Sequence, residues 1–109
     1  MADGLPTGLT AYKRTAVFDQ DTLPAGLRRE HRTKAGVWGM IHVLEGRLLY
    51  RILVPPSEHI LTPERPGIVL PQQPHEVQAL GSMRMFVEFY AAEPPVGEPD
   101  APTNFSTST

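Results

Sequence analysis

The sequence predicts an all-β chain, an antiparallel sandwich or barrel of about eight short strands. Three observations carry this. Twelve prolines and nine glycines among 109 residues interrupt the chain too often for long helices. Val37 to Leu44 is a short run apolar on both faces, and Met83 to Tyr90 carries Met83, Met85, Val87 and Phe89 at period two. Turn residues recur at short, regular spacing between such runs.

Residues 1–11 read as a leader with turns at Gly4, Pro6 and Gly8. Tyr12 to Phe18 has strand-forming residues, and Asp19-Gln20-Asp21-Thr22 with Pro24 and Gly26 breaks it. Leu27 to Thr33 is expected as a polar strand at an edge or against a polar pocket. Leu27, Arg29, His31 and Thr33 would share one of its faces. After the bend Lys34-Ala35-Gly36, Val37 to Leu44 is the clearest strand. Val37, Gly39, Ile41 and Val43 face one way; Trp38, Met40, His42 and Leu44 face the other. Apolar residues on both sides mark it as central. Glu45-Gly46 makes a hairpin turn, and Arg47 to Val54 returns with Leu48, Tyr50, Ile52 and Val54 inward.

Short strands are expected at His59 to Leu61 and Ile68 to Leu70, then at His75 to Leu80. Met83 to Tyr90 closes the series, with Met83, Met85, Val87 and Phe89 on one side and Arg84, Phe86, Glu88 and Tyr90 on the other. From Glu93 the chain is rich in Pro, acid, Ser and Thr, which reads as a disordered tail. The expected division is a leader over 1–11, one domain over 12–92 and a tail over 93–109.

Composition narrows the function classes. A net charge of −2 gives no basic surplus for a phosphate backbone, so nucleic acid is not an expected partner. No apolar run approaches the roughly 20 residues of a membrane helix, and the N-terminus does not read as a signal peptide. The absence of cysteine excludes disulfides and thiolate metal sites and fits a cytoplasmic protein.

Of the four histidines, His59 lies at a loop edge and is expected in solvent, and His42 sits in the central strand as a packing residue or a ligand. His31 and His75 each stand at a strand entry outside any apolar stripe. Neutral imidazole is the commonest metal ligand, so these two, with Glu88 as a third, are the candidate metal ligands. A His, His, carboxylate set suits Zn, Fe, Mn or Ni. Arg29, Lys34, Trp38, His42 and Tyr50 are candidates for a surrounding ligand pocket, each with a plain surface or core alternative. No Walker, dinucleotide or nucleophile-elbow motif is present.

The runs HVLEGRL, PGIVLPQQPHEV and MFVEF resemble the two motifs of the cupin superfamily. LTAYKRTAVF, LPAGLRREHRTKAGVWGMIHVLEGRLLYRI and EVQALGSMRMFVEFY resemble the small TehB/YeaR-like, tellurite-resistance-associated family. That family includes a domain fused to a methyltransferase. The resemblance covers about residues 8–91. It implies a cupin jelly roll, a pocket inside the barrel and a divalent metal held by His31 and His75. The usual cupin H-x-H followed by Glu is missing: Arg32, Lys34 and Gly39 stand in that region. The expectation is therefore a stand-alone metal-binding cupin module that takes a small polar ligand and is associated with tellurite or other stress resistance. The alternatives are a small metal-dependent enzyme, or a metal-free ligand-binding or interaction domain. A homodimer through an edge strand is expected by the same analogy.

Overall fold

The computed structural model describes residues 5–92. The start of the expected leader and the expected tail from 93 lie outside the described residues. The described residues form eight strands: β1 (Thr10–Arg14), β2 (Phe18–Asp19), β3 (Trp38–Glu45), β4 (Leu48–Leu53), β5 (Pro56–Leu61), β6 (Gly67–Val69), β7 (His75–Ala79) and β8 (Arg84–Ala91). One sheet runs β1-β8-β3-β6, with β2 also on β8; the other runs β5-β4-β7. Every strand pairing is antiparallel.

The all-β expectation holds. The closed cupin barrel does not: the two sheets stay separate, with β6 ending one and β5 ending the other. Three residues of β6 and a proline at the head of β5 leave little backbone to join the two edges.

The alternation in the sequence sets which residues fill the interior. Ile41 and Val43 on β3, Met85, Val87 and Phe89 on β8, and Leu48 and Tyr50 on β4 are all buried. Fully burying an aliphatic or aromatic side chain is worth about 1.5–3 kcal/mol, so this shared inner layer is the main stabilising element. Gly46 closes the β3–β4 hairpin with φ +78°. A Cβ there would stand 2.2 Å from the Ser82 carbonyl oxygen and 2.9 Å from Met83 Cβ, so only glycine fits.

On the outside of the second sheet, Arg51 ties three strands. Its Nε donates to Glu58 on β5 at 2.9 Å, and its Nη1 donates to Glu76 on β7.

One expected strand is absent. Leu27 to Thr33 begins as a 3₁₀ turn, Ala25–Arg28, and continues as extended chain. Only His31 pairs, through two backbone hydrogen bonds with His75: His31 N–H to His75 O at 2.8 Å, and His75 N–H to His31 O at 2.9 Å. Pro24 and Gly26 favour the turn, and Leu27 anchors it by burial in the core. The alternating charges that follow give Arg28, Arg29, Glu30 and Arg32 no reason to pack, and all are exposed.

No helix among the described residues is long and apolar enough to cross a membrane.

Candidate functional site

His31 and His75 do come together. Both face the interior and are buried, with ring centroids 5.5 Å apart in an edge-to-face arrangement. His75 starts β7, where it shares the inner face with Val77. The backbone bridge then fixes His31 beside it. His75 Nδ1–H donates to the Gln73 carbonyl at 3.0 Å, which leaves Nε2 as the unprotonated nitrogen of the neutral ring.

Burial lowers the proton affinity of both rings. His31 is held at a pKa of about 4, by desolvation first and by the nearby His75 second. Desolvation also lowers His75, partly offset by the Gln73 carbonyl. Both are therefore neutral at pH 7. The void they share with Thr33, Ile41 and Phe89 measures about 10 Å³, room for one water at most.

Glu88 is not part of this pair. The same alternation that buries Val87 and Phe89 turns Glu88 to the outer face of the first sheet. There His42 Nε2 lies 3.2 Å from Glu88 Oε1, and the Tyr90 hydroxyl donates to the same oxygen at 3.0 Å. The Arg14 guanidinium lies 3.7 Å from Oε2 and covers the Phe86 ring at 4.7 Å. His42 stacks on the same Phe86 ring, 4.8 Å between centroids and 21° between planes.

The expected His31, His75, Glu88 set is thus divided between two sides of a sheet. No group of three His, Cys, Asp or Glu side chains that could hold a metal exists among the described residues. Zn, Fe, Mn or Ni at this triad has no structural basis.

The expected pocket residues are likewise separated. Arg29 and Lys34 are exposed on the chain around the His31 bridge. Trp38 and His42 lie on the outer face of the first sheet. Tyr50 alone is inside, 5.7 Å from the His75 ring. Its hydroxyl donates to the Ile68 carbonyl at 2.7 Å, tying β4 to β6 across the open side of the sandwich. Burial holds the Tyr50 phenol well above its ordinary pKa.

Beyond Tyr50 the space opens into a cavity of about 440 Å³, between β5 and the chain leading into β6. His59 lines it, 6.0 Å from the Tyr50 ring, with Leu61, Arg65 and Ile68. The rings of His59, Tyr50, His75 and His31 thus step from the rim to the core. Gly67 makes the floor passable: a Cβ there would stand 2.8 Å from Leu61 Cδ1 and 3.1 Å from Tyr50 Cδ2.

His59 was expected simply in solvent. It is exposed, yet it faces the cavity. The signal was its phase: Tyr50 pairs with His59 and Leu48 with Leu61, so Ser57, His59 and Leu61 share the face of Tyr50.

The described residues thus form an open two-sheet antiparallel sandwich, with a buried neutral imidazole pair behind a side cavity. The family model of the TehB-like domain matches residues 13–87, and the chain belongs to the TehB-like family. A curated relative, the probable S-adenosyl-L-methionine-dependent methyltransferase TehB of Haemophilus influenzae, is 40% identical over 77 residues. The match covers 66% of this chain and 27% of the relative, so the chain spans about a quarter of that protein's length.

The crystal structure of TehB from Haemophilus influenzae superposes with a TM-score of 0.70 at 36% identity, over 76% of this chain and 31% of that one. A crystal structure of an Escherichia coli K12 protein gives a TM-score of 0.75 over 82% of this chain and 96% of that one. At 19% identity it speaks for the fold alone.

These relatives correct the expectation drawn from the sequence. Proteins named as S-adenosyl-L-methionine-dependent methyltransferases overturn the stand-alone metal-binding cupin module, and with it the small metal-dependent enzyme. The cofactor in their name is S-adenosylmethionine, not a divalent metal ion.

Proposed function

We propose that this chain is a component of S-adenosylmethionine-dependent methyl transfer, and that its cavity between β5 and β6 holds a small organic molecule. The observation that carries the reading is the 77-residue match to part of a methyltransferase. A nucleoside-bearing cofactor is commonly held where parallel strands turn into helices through glycine-rich loops. The described strands pair antiparallel throughout and hold no such turn, which supports a cofactor site in the part of the relatives beyond the match.

The strand order also supports a finer view of the fold. β1-β8-β3-β6 faces β7-β4-β5, and the His31–His75 bridge stands where a fourth strand would join β7. That arrangement supports reading the fold as a jelly roll left open on one side. The cysteine-free composition agrees with a cytoplasmic setting. For the expected homodimer, β1 is one of the edges open to pairing, bonded among the described strands to β8 alone.

The test is a chimera of Haemophilus influenzae TehB in which residues 10–91 of this chain replace the matched segment. Conversion of S-adenosylmethionine to S-adenosylhomocysteine is followed with tellurite as the acceptor offered. The chimera should keep most of the turnover, and the same enzyme with the segment deleted should lose at least tenfold. Equal turnover in the deleted enzyme would remove the reading.

A further inference from the structure

The cavity between β5 and β6 has a definite charge and a definite shape. Its walls are apolar: Tyr50, Ile52, Leu61, Pro66 and Ile68. Its polar groups are Glu58, His59 and Arg65. The Glu58 carboxylate is already taken, bonded by Arg51 Nε at 2.9 Å. The neighbouring Glu64 carboxylate accepts from the Thr62 hydroxyl at 3.3 Å. Arg65 is held through its backbone, with N–H to Thr62 O at 2.8 Å, and its guanidinium makes no ion pair among the described residues. Neither Glu58 nor Glu64 meets the Arg65 guanidinium, so Arg65 is the lining charged donor left for an occupant. The imidazole of His59 stands near it on the same rim, bonded to Ser57 Oγ at 3.1 Å.

Guanidinium pairs best with a planar carboxylate, which it can bind through two parallel N–H donors. Apolar walls and two ring faces, Tyr50 and His59 at 39° to one another, favour a flat or branched hydrocarbon body. A volume of about 440 Å³ lies in the range of small-molecule sites.

We propose that this cavity binds a small carboxylate with a flat or branched apolar body. Its carboxylate meets Arg65 at the rim, and its body lies against Tyr50 and Leu61. The proposal deepens the reading of a methyl-transfer component, because it names the class of molecule held. It rests on that reading for its role in the reaction but not for its test.

The test is an amide-resolved NMR titration of the full chain at pH 7 with benzoate, and with benzyl alcohol as the uncharged counterpart. Benzoate should shift the amides of His59, Arg65, Gly67 and Ile68 saturably and bind at least tenfold more tightly than the alcohol. Arg65→Met should abolish that preference, and His59→Gln should weaken benzoate severalfold. Arg47→Met, which removes an exposed cation outside the cavity, should keep the preference.

Equal binding of both probes, shifts elsewhere in the chain, or no saturable shift would overturn the proposal. So would an unchanged preference in Arg65→Met. The titration uses the chain without any methyltransferase. A working chimera with a failed titration therefore removes only the carboxylate class, and a failed chimera with a saturable titration removes only the methyl-transfer role.

Discussion

Lowering the pH from 7 to 4 should destabilise this fold through His31. The ring is buried, and its pKa in the folded chain is about 4 against an ordinary 6.5. As pH falls below 6.5 the unfolded chain takes up a proton that the folded chain refuses. Stability from this group is therefore complete above about pH 6.5, falls as acid is added, and levels off below about pH 4. Each tenfold change in proton affinity is worth 1.36 kcal/mol, so the loss comes to about 3 kcal/mol. Against a total stability of about 5–15 kcal/mol for a domain, that is a large fraction.

Urea unfolding at pH 7, 6, 5 and 4 reads the effect, with His31→Leu as the reference in which the group is removed. Between pH 6 and 4.5 the wild-type chain should lose more than one further kcal/mol per pH unit than the variant does. The carboxylates titrate alike in both and cancel in the difference. NMR of the imidazole carbon adjacent to both nitrogens should show His31 unprotonated down to about pH 5. In His75→Leu its pKa should rise, because the second imidazole is one of the two causes of the depression. Equal slopes in wild type and His31→Leu, or a His31 that titrates near 6.5, would refute the reasoning.

Gly46→Ala should destabilise by more than about 2 kcal/mol, since the new Cβ meets the Ser82 carbonyl and the backbone has positive φ; a urea midpoint within error of wild type would contradict this. Tyr50→Phe leaves the Ile68 carbonyl without its donor and should cost about 1–2 kcal/mol, visible as a lower melting temperature. Glu88→Gln should leave benzoate affinity at the β5–β6 cavity unchanged within twofold, because its carboxylate points out of the opposite face of the first sheet. Sedimentation at micromolar concentration checks the edge-strand dimer: the expected outcome is a species of twice the chain mass, and a monomer counts against it.

Much of the strand layout was legible because burial on one face forces a period of two. Ile41 and Val43 against Trp38 and His42, and Met85, Val87 and Phe89 against Phe86 and Glu88, fall as alternation requires. That alternation already placed Glu88 away from the core. Naming it a metal ligand went against its own strand phase. The segment around His31 was harder, because Leu27 is its one apolar residue, too little to fix a strand. The 3₁₀ turn follows from Pro24 and Gly26, a local preference that outweighs weak periodicity.

The side cavity was not legible at all. It lies between the ends of two sheets, and Tyr50, His59, Arg65 and Ile68 acquire a common direction only through pairing register and the Tyr50–Ile68 bond. No local pattern in the sequence encodes a gap between two edges.

The link between His31 and His75 has a further consequence for how the molecule opens. A strand the length of β7 is held to β4 along five paired positions, whereas the chain around His31 is held to β7 by one reciprocal pair of bonds. Freeing that segment means breaking this pair, releasing Thr33 Oγ1 from the Gln72 N–H and the Val37 carbonyl, and lifting Leu27, with the strand ladders of both sheets left in place. In hydrogen exchange, the amide of His31 should therefore exchange well before those of Val77 or Val87, whose release requires the sheets to come apart. Water would reach the imidazoles by the same small excursion, so the least secure part of the backbone is also the route to the most sheltered polar groups.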